Sequence, residues 1–142
     1  MNFPEFDKQS GECIEKIQDL LNAWLKTKDT ANIAEKMDIQ EKLAIWSVRL
    51  SEIVAQLDYV YVFSYVARKY ETSVRKNAIH KAGKSMAAAE SLVDEELNSH
   101  RVQEVENEYL AERARNILNQ VNKVLSTMSQ NISFSKQEFE RK

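Results

Sequence analysis

The chain has 142 residues, a formal net charge of −2, two glycines, one proline and one cysteine. So few glycines and prolines exclude most β and α/β architectures, which need such residues in their turns. A single cysteine excludes an internal disulfide and is typical of a reducing compartment. We therefore expect one all-α domain over residues 1–142, with residues 1–9 and 130–142 flexible.

A first helix is predicted from about Ser10 to Lys26, with Asp7 or Ser10 as its N-cap. Its apolar residues recur at steps of three and four, which marks one buried face. These are Ile14, Ile17, Leu21 and Trp24. The segment "KTKDTAN" then reads as a connection, in which Asp29 or Thr30 would cap the next helix.

The second predicted helix carries an apolar seam that is typical of a coiled coil, with alternating spacings of four and three. Its members are Ile39, Leu43, Trp46, Leu50, Ile53, Leu57 and Val60. The segment "LDYVYVFSYVARKY" at 57–70 also alternates like a strand, but no turn residue separates it from the seam, so we predict helix. Apolar residues on more than one side of a helix indicate several neighbours. We expect Tyr59, Tyr61, Phe63 and Tyr65 to form a homo-oligomer interface between long helices packed as a hairpin or bundle.

A third helical region is predicted from about Ser85 to Met128, with a weak point at Asn98 and Ser99. The boundary before it, within 72–85, stays open between a bend at Gly83 and a continuing helix. A second seam of fours and threes follows. It comprises Leu110, Ala114, Ile117, Val121, Val124 and Met128. The final "SQNISFSKQEFERK" is either a last helical turn or an arm.

The residues offer little for catalysis or for metal binding. His80 and His100 are far apart, Cys13 lacks neighbouring zinc ligands, and there is no glycine-rich phosphate loop. We therefore expect a protein that is not an enzyme and has no metal or cofactor. The N-terminus does not resemble a signal peptide, and no apolar run approaches the length of a membrane span. These features favour a cytoplasmic protein without membrane contact.

Charge is segregated along the second half of the chain. A basic block holds Arg68, Lys69, Arg75, Lys76, Lys81 and Lys84, opposed only by Glu71. An acidic block holds Asp94, Glu95, Glu96, Glu104, Glu106, Glu108 and Glu112, opposed only by Arg101. The blocks either pair as complementary helix faces, which composition alone favours, or leave the basic block free for a polyanion. Single-stranded nucleic acid requires such positive charge together with planar side chains, here Tyr65 and Tyr70.

The order of features over residues 50–142 resembles the UvsY-type recombination mediators of T-even phages. A helix carrying "AQLDYVY" precedes "ARKYETSVRKNAIHKAGKS", an acidic helix, "YLAERARNILNQVNKVLSTM" and "ISFSKQEFE". The resemblance implies an all-α, ring-like homo-oligomer that binds single-stranded DNA without sequence preference. It also implies help in loading a recombinase onto strands coated by single-strand-binding protein, in the cytoplasm of a bacterial host if the chain is phage-encoded.

One departure from the family pattern affects the expected DNA site. The T-even pattern has basic residues just before Leu-Asp-Tyr, where this chain has Val54 and Gln56. DNA contacts are therefore expected to move to the basic block, at Arg68, Lys69, Arg75, Lys76, Lys81 and Lys84. The alternative function is a helical oligomeric scaffold, or chaperone-like interaction protein, without a nucleic-acid role.

Overall fold

The structure, a computed structural model, describes residues 3–141. Over this range 93% of the chain is helical and there is no strand, which confirms the all-α prediction. Four helices follow one another in these residues: α1 (Phe3–Thr27), α2 (Ile33–Lys81), α3 (Met86–Glu96) and α4 (Asn98–Arg141). The residues cluster into two compact units. Unit 1 combines the chain up to Ala55 with the segment from Glu112 onward, and unit 2 is Gln56–Ala111.

Helix α1 begins earlier than the sequence predicted, at Phe3. The proposed caps Asp7 and Ser10 were wrong, because both lie inside the helix, where the Ser10 hydroxyl donates to the Asp7 carbonyl at 3.2 Å. Pro4 is compatible with the early start, since the first helical turn needs no intrahelical bond from its backbone N–H groups. Of the segment 1–9, which was expected to be flexible, residues 3–9 belong to this helix, and residues 1 and 2 lie outside the described part of the chain.

The cap of α2 is Asn32 rather than Asp29 or Thr30. Its side-chain oxygen accepts a hydrogen bond from the Glu35 amide at 3.1 Å, and its amide nitrogen donates to the Glu35 carboxylate at 3.2 Å. Thr30 instead donates its hydroxyl to the Thr27 carbonyl at 2.7 Å, within the connection. The Asn32 side chain thereby satisfies the Glu35 backbone N–H, one of the groups that a helix start leaves open.

Helix α2 continues unbroken through 57–70, which confirms the helical prediction for the aromatic segment. It ends near Gly83, whose φ of 95° lies in the left-handed region that glycine tolerates. Ser85 then caps α3 by accepting a hydrogen bond from the Ala88 amide. The predicted third region is divided at Leu97, next to the weak point at Asn98 and Ser99. The tail at 130–141 belongs to α4, not to an arm.

The core of unit 1 is formed by α1, the first part of α2 and the last part of α4. Its fully buried apolar residues include Ile17, Leu43, Leu50, Val121 and Met128. Burial of such aliphatic side chains is the main stabilising contribution in a unit without disulfides.

This unit also buries a lysine with uncharged partners. Lys36 is 1% exposed. Its ammonium group donates to the Asn131 side-chain oxygen at 2.9 Å and to the Ser135 hydroxyl at 3.0 Å. Asn131 in turn donates to the Lys28 carbonyl at 3.1 Å. A buried charge is expensive unless hydrogen bonds replace its hydration, so this network joins α4 to α2 specifically.

Replacing Asn131 with leucine is expected to destabilise the protein by about 1–3 kcal/mol, because the buried Lys36 ammonium loses an acceptor that water cannot replace. Urea denaturation followed by circular dichroism measures the change. The same substitution at the exposed neighbour Gln130 provides the control and is expected to have little effect. Equal stability of the two variants would show that Asn131 does not support the lysine.

The core of unit 2 joins the second part of α2 to α3 and to the start of α4. Leu57, Ala89, Val93, Leu97 and Leu110 are buried in it. Ser64 is the α2 residue four positions after the last seam residue, Val60, and it is polar. Its hydroxyl donates to the Val60 carbonyl at 2.8 Å and accepts from the buried Asn107 amide at 3.0 Å, so both side chains are satisfied.

Candidate functional site

Helix α2 presents a second apolar surface in unit 2, on the side opposite Leu57 and Arg68. We call it the exposed apolar face. Its members recur at helical steps of three and four, and all are exposed. They are Tyr59, Val62, Phe63, Val66, Tyr70 and Val74. The rings of Tyr59 and Phe63, 70% and 62% exposed, stack with centroids 6.2 Å apart. A stripe of this kind in a water-facing position is typical of an interaction surface.

The structure distributes the four residues predicted for an oligomer interface over different sides of α2. Tyr59 and Phe63 lie together on the exposed apolar face, and Tyr65 is exposed beside it. Tyr61 is half-buried, because residues two apart in a helix point about 160° away from each other. The sequence reasoning missed Val62, Val66 and Tyr70, which a count of helical steps from Tyr59 would have found.

Arg68 of the basic block forms the most shielded ion pair of unit 2. Its guanidinium donates two hydrogen bonds to the Glu104 carboxylate of α4. The two side chains are only 14% and 12% exposed. The hydrogen bond to Glu104 raises the pKa of Arg68 above its ordinary value. This geometry makes Arg68 a structural contact between α2 and α4.

Arg75 and Lys76 pair with carboxylates of α3. Arg75 donates to Glu96 at 3.0 Å and, within α2, to Glu71 at 3.4 Å. Lys76 contacts Glu90 at 3.3 Å. The hydrogen bond to Glu96 raises the pKa of the Arg75 guanidinium. Arg68, Arg75 and Lys76 therefore pair with carboxylates of the same chain, as the interpretation of complementary helix faces predicts.

The other three cations of the basic block are exposed. Lys69, Lys81 and Lys84 form no ion pair among residues 3–141. The Lys69 ammonium and the Arg68 guanidinium each lie 5.6 Å from the centroid of the Tyr65 ring, within the range of a cation–π contact.

Lys69 belongs to a polar stripe that borders the exposed apolar face. Lys69, Lys76 and His80 are seven and four residues apart and so share one side of α2. The His80 ring nitrogen Nδ1 lies 3.1 Å from the Lys84 carbonyl oxygen. Because a carbonyl only accepts, Nδ1 is the donor in this contact.

Unit 1 has a shallow cleft between α1 and α2, beside Cys13. It is lined in part by Glu12, Lys16, Trp46 and Arg49. The Arg49 guanidinium lies 4.7 Å from the centroid of the Trp46 ring. The buried Cys13 thiol donates to the Trp46 carbonyl at 3.6 Å, and burial raises its pKa. A thiol held in its protonated form is a poor nucleophile, so Cys13 here acts as a small core residue.

The described residues contain no cluster of three or more histidine, cysteine or carboxylate side chains that could hold a metal ion. Within the same 3–141 range, no helix is both long and apolar enough to cross a membrane. The described residues form an all-helical protein in which the exposed apolar face of α2 is flanked by cations. No family model, curated protein or solved structure matches the chain.

Proposed function

We propose that this chain is a non-enzymatic homo-oligomer that binds single-stranded DNA and acts as a recombination mediator. The observation that carries the proposal is the exposed apolar face of α2, bordered by exposed cations. Assembly through the apolar side would repeat the cationic side once per subunit. Avidity then compensates for the modest affinity of each site.

Self-association is supported by the chemistry of the exposed apolar face. It holds three rings and three valines over four helical turns of α2. Aromatic residues are enriched at protein interfaces because they bury a large area and lose little conformational freedom. A second copy would present the same face, as a two-fold interface requires.

DNA binding is supported by the cations that the fold leaves available. Lys69 lies beside the ring of Tyr65. Tyr65 is exposed and lies outside the exposed apolar face, so assembly through that face would leave its ring available. Cations that neutralise phosphates and rings that stack on bases are the two features that sequence-independent binding of single strands uses. We place the primary contacts at Lys69, Lys81 and Lys84, with Arg75 and Lys76 contributing when their carboxylate partners are displaced. Recombinase and single-strand-binding protein would contact other surfaces.

Replacing Lys69 and Lys81 with glutamine is expected to weaken binding to a fluorescein-labelled oligothymidylate. Each lost phosphate contact should also flatten the plot of log affinity against log salt by roughly 0.7. Fluorescence anisotropy over a range of salt concentrations measures both effects. Neither lysine takes part in an ion pair within the described chain, so helicity and assembly should be unchanged.

The control for that experiment is Lys123→Gln with Lys136→Gln, two exposed lysines of α4 in unit 1. It alters the net charge equally and is expected to retain parental affinity. An equal loss of affinity for the oligonucleotide in both variants would indicate a general effect of net charge and not a binding site on α2.

A second candidate, a helical scaffold without a nucleic-acid role, is favoured by the ion pairs of unit 2. Arg68, Arg75 and Lys76 already contact carboxylates of the same chain. A protein of this kind would assemble through the exposed apolar face and show no anisotropy change with the oligonucleotide at low salt. Replacing Arg75 with glutamate would then lower the stability of unit 2 and leave the anisotropy of the labelled oligonucleotide unchanged.

A further inference from the structure

Helix α3 is attached to unit 2 through few buried residues. It has 11 residues, of which Ala89 and Val93 are buried, and the buried Leu97 follows it. The segment enters after the glycine turn at Gly83 and leaves at the break at Leu97. Because α3 buries one alanine and one valine, little apolar area opposes its release from α2.

The polar contacts between α3 and α2 are ion pairs that are open to solvent. Glu90 and Glu96 contact Lys76 and Arg75, and these two glutamates are 56% and 51% exposed. Ion pairs in such positions are screened by salt and exchange partners readily. The Arg68–Glu104 pair differs, since it is shielded and lies on the long helix α4.

A carboxylate and a phosphate diester offer the same chemistry to Arg75 and Lys76. Both are anions with oxygen acceptors that an arginine fork or an ammonium can contact. Glu90 and Glu96 therefore occupy the positions that the backbone of a nucleic acid would take on this part of α2.

We propose that α3 is an autoinhibitory cover, whose Glu90 and Glu96 compete with the phosphates of single-stranded DNA for Lys76 and Arg75. A bound strand displaces α3 and gains two cations in addition to Lys69, Lys81 and Lys84. This regulation rests on the proposed function, because it presupposes that the same surface binds single strands. Arg68 stays paired with Glu104 and holds α4 in place.

The test is the double variant Glu90→Gln with Glu96→Gln, measured by anisotropy with labelled oligothymidylate. Loss of two solvent-exposed ion pairs should tighten binding on the order of 2- to 30-fold. The matched control is Glu95→Gln with Glu106→Gln, which changes net charge equally. Neither of these carboxylates forms an ion pair with a lysine, arginine or histidine within the described residues, so the control should bind like the parent.

Hydrogen exchange of the wild-type protein supplies a second readout. With saturating oligonucleotide, amides of residues 86–96 should exchange faster, whereas a strand that merely added to the surface would leave them unchanged or slower. If the parent binds the oligonucleotide but the Glu90→Gln, Glu96→Gln protein binds no tighter than its control, the autoinhibitory role is wrong and the proposed function stands. If the parent does not bind at all, the proposed function fails and the regulation with it.

Discussion

Replacing Tyr59 and Phe63 with serine is expected to dissociate the proposed homo-oligomer into monomers of 16.5 kDa. These stacked rings form the most exposed aromatic pair on the exposed apolar face of α2. Central aromatic residues of an interface contribute about 2 kcal/mol or more each. Loss of two from each subunit would therefore weaken association by at least roughly 4 kcal/mol, or about a thousandfold or more in the dissociation constant. Light scattering after size exclusion measures the mass.

A matched control for this experiment comes from α4 in unit 1. Phe134 and Phe139 are also exposed rings, and their replacement with serine removes a similar apolar area. This control is expected to keep the parental mass. An unchanged mass for the Tyr59→Ser, Phe63→Ser protein, with parental helicity, would exclude the exposed apolar face as the interface.

Replacing Leu50 with alanine is expected to destabilise the protein by about 2–5 kcal/mol. Leu50 is fully buried in unit 1, in the first part of α2. Truncation removes apolar contacts and leaves a cavity that the surrounding helices fill only in part. Because small domains are stable by about 5–15 kcal/mol in total, this change is a large fraction of the whole. Urea denaturation followed by circular dichroism gives the free energy of unfolding.

Leu25→Ala is the control for that prediction, because Leu25 is the same residue type in an exposed position of α1. We expect it to change the free energy of unfolding by less than about 0.5 kcal/mol. A comparable decrease in the free energy of unfolding for Leu25→Ala and Leu50→Ala would mean that burial of Leu50 does not stabilise the protein.

The helical character of α2 was predictable from its seam, but the exact buried face was not. Leu43 and Leu50 are buried as expected, whereas the apolar Trp46 and Ile53 are half-buried. The neighbouring residues Ser47 and Val54 are buried instead of Trp46 and Ile53. Ser47 tolerates burial because it is small and its hydroxyl donates to the Ala44 carbonyl at 2.7 Å. A pattern weighted by hydrophobicity overlooks a small polar residue that satisfies itself within the helix.

The charge blocks were visible in the sequence, but their pairing depended on helix ends that it did not define. Arg75 meets Glu96, 21 residues away, and Lys76 meets Glu90, 14 residues away. These contacts require α2 to end at Lys81 and α3 to start at Met86. The weak point at Asn98 and Ser99 indicated the end of α3 but neither of these two boundaries. The Gly83 turn stayed open between a bend and a continuing helix.

The aromatic segment shows why a correct element can still mislead about a surface. The helix over 57–70 was predicted correctly, and the interface was assigned to Tyr59, Tyr61, Phe63 and Tyr65 together because apolar residues cover more than one side of this helix, although these four alternate along the chain. That alternation has the period of a strand, so it does not select one side of a helix. The helical period places Tyr59 and Phe63 with Tyr70 and separates them from Tyr61.

The mass of the wild-type protein in solution tests most directly the claim that α2 uses its exposed apolar face to join copies of the chain. Light scattering after size exclusion at micromolar concentration provides it. We predict one defined species that contains two or more chains, so that its mass is a whole multiple of 16.5 kDa. A single species at 16.5 kDa over the whole concentration range would contradict the account.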